Sequence, residues 1–231
     1  MRHTAPRALL LLLLAALACA ARAQGESRLA REESRLARWK ERPGPVRNAA
    51  LRRELLQMLE DDQAVRAPFM EGRLPNESET RAMRERDEAD TKRLSRILDE
   101  YGLPGVKLVG IRATRAFIIM LLHSPSLELM RRALPHVERA ARRKEIPPDD
   151  FAGLTDRVLV NEGKPQLYGS NFNFVGDRVV LGTTQDPARL DARRRKLGLP
   201  PIRDYAALLA EMYKKTVDES SLPEPAKSRR K

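Results

Sequence analysis

The sequence predicts a mainly α fold: a compact multi-helix domain with one small β-hairpin near the C-terminal third. Three observations carry that expectation. Apolar residues recur at three-to-four spacing through successive segments, proline and glycine stand at the segment ends, and near residue 172 the period falls to two and turns back through Gly176-Asp177.

The chain opens Met1-Arg2-His3, adds Arg7, and runs over 8–21 almost without a polar side chain before Ala21-Arg22-Ala23. A basic start, a short apolar stretch and small residues just ahead of Gln24 form the pattern of a signal peptide over 1–23, cleaved before Gln24. The expected destination is periplasmic or secreted. The apolar stretch is shorter than the roughly 20 residues a membrane span needs, so no transmembrane span is expected in the mature chain. The alternative is a lipoprotein anchored through Cys19; against it, Leu17 stands one place away from where such anchors carry leucine. Cleavage would remove the single cysteine, leaving stability to packing.

Residues 24–48 read as a basic helical arm and linker. E-S-R-L-A-R occurs twice in succession, placing Leu29 over Leu36 and Ala30 over Ala37, and Pro43-Gly44-Pro45 closes the segment. A single mainly helical domain is expected over 49–215. Its first helix carries Leu51, Leu55, Met58 and Leu59 on one face, which then receives Asp62 and Arg66 in the favourable order for an intrahelical pair. A loop follows over 68–75, and Asn76-Glu77-Ser78 matches a glycan acceptor. The next helix, over 79–101, turns Met83, Leu94, Ile97, Leu98 and Tyr101 to one side together with Asp90, a carboxylate that needs a partner if buried. Gly102-Leu103-Pro104-Gly105 ends it.

The most apolar segment, 113–123, is the expected central core helix, closed by His123, and Ser124-Pro125-Ser126 opens a further helix to Lys144. Pro147 and Pro148 start another with Phe151, Leu154, Val158 and Leu159 inward, ended by Gly163 and carrying Asp156 and Arg157 beside its apolar stripe. From Gln166 the pattern alternates: Gln166, Tyr168 and Ser170 on one side, Leu167 and Gly169 on the other. Phe172, Phe174, Val179 and Leu181 are the residues through which the hairpin packs on the helices. Asp186 and Pro187 open a helix that Gly198 ends, and Pro200-Pro201 starts the last, with Tyr205, Leu208, Leu209 and Met212 inward. Residues 216–231 read as a disordered basic tail.

The net charge of +12 invites a nucleic-acid reading until it is located. Three arginines leave with 1–23, and much of the remaining excess lies in the flanks: seven bases against four acids in 24–48, and four against one in 222–231. Basicity of that kind suits a solvated chain more than a shaped groove, so no specific nucleic-acid partner is expected. Runs such as Arg193-Arg194-Arg195-Lys196 are read as exposed helix faces. With only His123 and His136 left and no cysteine, a zinc site has too few ligands. No phosphate loop, dinucleotide fingerprint or nucleophile elbow occurs, and no cofactor is expected.

Several pieces resemble a known family. M-L-E-D-D-Q-A-V-R at 58–66, Gly102-x-Pro104 followed by Val109-Gly110, L-L-H at 121–123, L-T-D-R at 154–157, P-Q-L-Y-G at 165–169 and R-x-x-L-G-L at 194–199 are similar to the bacterial family called domain of unknown function 6624. The resemblance covers 51–205. It implies that Asp62, Gln63, Arg66, His123, Asp156, Arg157, Gln166, Tyr168 and Gly169 belong to a shared pattern, and it implies no activity. The chain departs from the family at Leu103, where tryptophan is common, at Leu122, where glutamine often precedes the histidine, and at Ser170-Asn171, where Thr-Gln is usual.

Three readings of the polar set follow. In the one adopted, the protein is an exported module that binds a ligand or partner in a polar pocket of Asp62, Gln63, Arg66, Asp90, Arg157, Gln166 and Tyr168. A small anionic ligand or an envelope component would suit it, since Arg66 and Arg157 each carry the forked guanidinium that grips an anion with two bonds. The alternative is an envelope hydrolase in which His123 and Asp156 form an acid–base pair. The same residues could instead be a buried network holding the helices together. A hydrogen bond from His123 to Asp156 or Asp90 in an open cleft would favour the hydrolase.

Overall fold

The computed structural model describes residues 28–39 and 45–224; side chains of Leu29, Ala30 and Glu33 are outside that description. The expected signal segment, the Pro43-Gly44 part of the linker, most of the Leu29 and Ala30 seam and residues 225–231 of the expected tail lie outside it too. The chain divides into two compact units between Arg38 and Trp39. The first contains helix α1 (Arg28–Leu36), where the acid and base of the repeat meet as Arg35 Nε donates to Glu32 at 2.8 Å.

The second unit is a helical core with a small sheet at its C-terminal end. Asn48 caps α2 (Ala49–Val65), its side chain accepting from the Leu51 amide at 2.9 Å. The residues expected to form a loop first make one helical turn, α3 (Ala67–Met70), because Pro68 suits a first helical position and is buried there. Asn76 caps α4 (Glu77–Tyr101) in a reciprocal capping box with Glu79, so the start of this helix is written in the sequon itself. Gly102, at φ +66°, ends α4. After a single turn, α5 (Val106–Val109), comes α6 (Ile111–His123), which packs against α2, α4, α5, α7 (Leu127–Arg142) and α8 (Pro148–Asn161). The fully buried Phe117, Ile118, Met120 and Leu121 put α6 at the centre, as the apolar run predicts. Tyr101 does not join that core; it is exposed, and its hydroxyl accepts from Asn48 at 3.4 Å.

The hairpin is β1 (Phe172–Val175) and β2 (Arg178–Leu181), antiparallel, with Phe172 opposite Leu181 and Phe174 opposite Val179. The alternation at 166–170 does not continue it. That stretch is a loop, because its amides are drawn to a side chain of α8 and not to a strand, and only Gln166 makes a bridge, with Thr184. Asp186 does not cap the following helix. It sits in the left-handed region at φ +42° with no capping bond, and a 3₁₀ turn over Pro187–Arg189 leads into α9 (Leu190–Leu197).

In α10 (Ile202–Met212) the buried residues are Ile202, Ala206, Leu208 and Ala210, while Met212 is exposed. The inward stripe is thus rich in alanine, which lets the sheet come close. The domain also runs past the expected boundary at Lys215. Thr216–Val217 forms β3, parallel to β2 with Val179 opposite Val217, and Leu222 is buried with Leu181, Leu190, Ile202 and Ala206 in a second core. Among the described residues no helix is long and apolar enough to cross a membrane.

Candidate functional site

The ladder of charges between α2 and α4 follows from helical spacing. Asp62 is one turn beyond Met58 on the inward face of α2, and Arg66 one turn further on reaches back to its carboxylate at 2.7 Å. The other arm of Arg66 pairs with Asp87 of α4. Arg86 repeats the motif in the opposite direction, holding Asp90 at 2.9 Å within α4 and Asp61 of α2 at 2.9 Å. Asp90 therefore has the partner its burial demands, four residues upstream. Burial still pushes its carboxyl above the ordinary range; Arg86 opposes that, and the charges of Asp62 and Asp87 add to it.

His123 joins this ladder from the last turn of α6. Its Nδ1 lies 3.0 and 3.1 Å from the two oxygens of Asp62, which is 1% exposed, and Gln63 donates to the same carboxylate at 2.9 Å. Burial alone would raise the Asp62 carboxyl. The hydrogen bond and charge of His123, then Arg66 and Gln63, outweigh it, and the group is held below its ordinary range. An ionised carboxylate can only accept, so Nδ1 carries the proton and Nε2 is the nitrogen left facing outward from a ring whose side chain is 26% exposed. Thr91 of α4 donates to Ser124 at 2.8 Å and fixes the turn that follows.

Asp156 is elsewhere. It is fully buried on α8 and accepts from the amides of Leu167 (2.7 Å), Tyr168 (3.0 Å) and Ser170 (2.8 Å) and from the Ser170 hydroxyl (2.9 Å). The expected pairing of His123 with Asp156 is thus replaced by His123 with Asp62: every acceptor position of Asp156 is spent on the loop it clasps. Gln166, also fully buried, closes that loop through reciprocal bonds to Asn171, both at 2.9 Å. A Cβ on Gly182 would stand 2.8 Å from Gln166 Nε2 and 3.3 Å from the Asn171 carbonyl oxygen, so a side chain there would displace the Gln166 amide from its clasp. Tyr168 is half-buried against Phe151, with ring centres 6.2 Å apart, and burial, then the Asp156 charge, raises its phenol.

Eight of the nine residues therefore fall into two places. Asp62, Gln63, Arg66, Asp90 and His123 gather at the α2, α4 and α6 ladder; Asp156, Gln166 and Tyr168 gather at the loop; Arg157, next to Asp156 on α8, pairs with neither group. Sequence reasoning missed Arg86 and Asp87, although Arg86 stands one helical turn from Asp90. It also misread Arg193 and Arg194 as solvated. Arg194 is 2% exposed, donating to the carbonyls of Pro200 and Tyr168 at 2.6 Å each and lying 4.9 Å over the Tyr205 ring, while Arg193 holds the Leu167 carbonyl at 2.7 Å.

At the opposite end of α6, Arg115 grips Asp150 of α8, 3.0 Å at the closest approach. Burial pushes the Asp150 carboxyl up to about 6; Arg115 works against this, and Asp149 adds to it. A buried acid with a raised value stabilises the fold most below its unfolded value and loses that contribution as pH rises through the folded one. We expect the Asp150 side-chain carbon to titrate near pH 6 by NMR, with about 3 kcal/mol of stability fading between about pH 4 and 6. A midpoint below 4 would refute this.

No curated protein and no solved structure matches the chain. A family model described as a family of unknown function matches residues 49–218, spanning the first core, all of the second but Leu222, the charge ladder and the clasped loop. The chain belongs to that family, DUF6624.

Proposed function

We propose that this protein is an exported ligand-binding domain whose pocket is formed around the outward edge of His123. The observation that carries the reading is the His123–Asp62 pair. A buried carboxylate locks the ring at Nδ1 and leaves Nε2 unspent at a half-open position, while Asp62, Arg66 and Asp87 are paired with one another. A ring nitrogen oriented in this way is available for a hydrogen bond with a ligand. Export rests on the pattern of residues 1–23.

A second reading has an observation of its own. A histidine held by a carboxylate at 3.0 Å is also the arrangement of a general base, able to take a proton from water at Nε2. Hydrolysis of an envelope ester or amide is the reaction class it suits.

The test uses the full chain labelled with ¹⁵N, the His123 ring nitrogens observed directly, and a panel of envelope-derived sugars, peptides and small acids. Binding should move Nε2 while Nδ1 stays put. His123→Gln should weaken that binding roughly tenfold, about 1.4 kcal/mol, and cost less stability than Asp62→Asn. A large loss of stability with no ligand response would assign His123 to the fold instead. Turnover of a nitrophenyl ester that disappears in His123→Gln would select the hydrolase.

A further inference from the structure

We propose that Arg157 is the receptor for an oxyanion group, a carboxylate or a phosphate, on the ligand of the His123 pocket; this rests on that pocket being the binding site. Two independent observations meet here. The first is an unanswered guanidinium. Arg157 is largely covered, and its Nε is buried without any hydrogen-bond partner among the described residues. Its neighbours behave differently: Arg66 is spent on Asp62 and Asp87, Arg86 on Asp61 and Asp90, Arg115 on Asp150, and Arg194 on two carbonyls and a ring. A covered cation with no counter-charge is costly and is retained where something from outside answers it. Burial accordingly lowers its guanidinium from the ordinary value, with no opposing partner.

The second observation is position. Gly153, Arg157 and Asn161 form one stripe of α8, each a turn apart. A Cβ on Gly153 would lie 3.6 Å from Leu122, the residue before His123, and Asn161 reaches Met130 of α7 at 3.6 Å. Arg157 lies on the same stripe, one turn from Gly153, which packs beside Leu122, and one turn from Asn161. The ligand proposed would present its anionic end to Arg157 and a hydrogen-bonding group to His123 Nε2, along the stripe of α8 that packs beside Leu122. Arg66, the other sequence candidate for gripping an anion, is ruled out by its two carboxylates.

The experiment titrates the full chain with potassium phosphate and, separately, potassium succinate against potassium chloride at equal ionic strength. The readouts are the Arg157 Nε–Hε resonance, the His123 ring nitrogens and the melting point. We expect a saturable shift of the Arg157 resonance and a raised midpoint with phosphate or succinate but not chloride; which salt acts tells a phosphoryl from a carboxylate ligand. Arg157→Met should abolish the response and melt no lower than the parent in chloride, because a partly buried, unpaired guanidinium is gone, while Arg157→Lys should bind roughly tenfold more weakly.

A response that survives Arg157→Met, or an Arg157 resonance that never moves, overturns the proposal. A lower melting point for Arg157→Met with no anion response in the parent makes the guanidinium structural and also overturns it. If Arg157→Met does not fold, saturation of the parent resonance decides. If anions move Arg157 while His123 stays still and His123→Gln binds as tightly as the parent, the anion site stands and the His123 pocket falls.

Discussion

Asp156→Ala is expected to cost about 4 kcal/mol, a large share of the roughly 5–15 kcal/mol that holds a domain of this kind folded. The reason is the number of donors that converge on one carboxylate. The amides of Leu167, Tyr168 and Ser170 and the Ser170 hydroxyl all point at it, in a place water does not reach. Alanine leaves these donors without acceptors and the loop without its anchor. Asp156→Asn preserves the shape but turns one acceptor into a donor facing donors, so most of the loss should remain. Urea unfolding followed by circular dichroism measures the cost, and amide exchange at 167, 168 and 170 locates it. A loss below about 1 kcal/mol would show that the loop is held by other means.

Asp62→Asn should be next in size, about 3 kcal/mol at neutral pH, and its signature is the pH dependence. The Asp62 carboxyl is held below its ordinary range despite burial, chiefly through His123 and then Arg66 and Gln63. A carboxylate with a lowered folded value contributes stability that is full above its unfolded value, near pH 4, and is lost as pH falls through the folded value. The parent should therefore lose stability on the acid side of about pH 4, and Asp62→Asn should start lower and flatten that limb. Asp90 works with the opposite sign, since its raised value favours the protonated form in the fold. An acid limb of unchanged slope in Asp62→Asn would assign the acid sensitivity to other carboxylates.

Much of the helical frame was legible because its signals are local. The run at 113–123 names the central helix, Pro148 and Gly163 bracket α8, and the four-residue step from Asp62 to Arg66 announces their pair. What the sequence hid was non-local. The carboxylate that answers His123 is far away on another helix, and no spacing rule connects them. The alternation at 166–170 has the period of a strand, yet three amides there turn toward Asp156, so a side chain overrode the pattern. The phase of α10 was missed because alanines, weak signals in an apolar count, line its buried stripe against the sheet. β3 was missed because a strand of two residues in polar sequence has no periodicity to read.

The seam between β2 and β3 gives the molecule a latch. β3 comes from beyond α9 and α10, so a chain synthesised from its N-terminus has every helix of the first core in hand before the residues that seal the sheet appear. The C-terminal segment is in this sense a closing step added to a finished bundle, and its release would uncover Leu181, Leu190, Ile202 and Ala206 while the central helix stays packed.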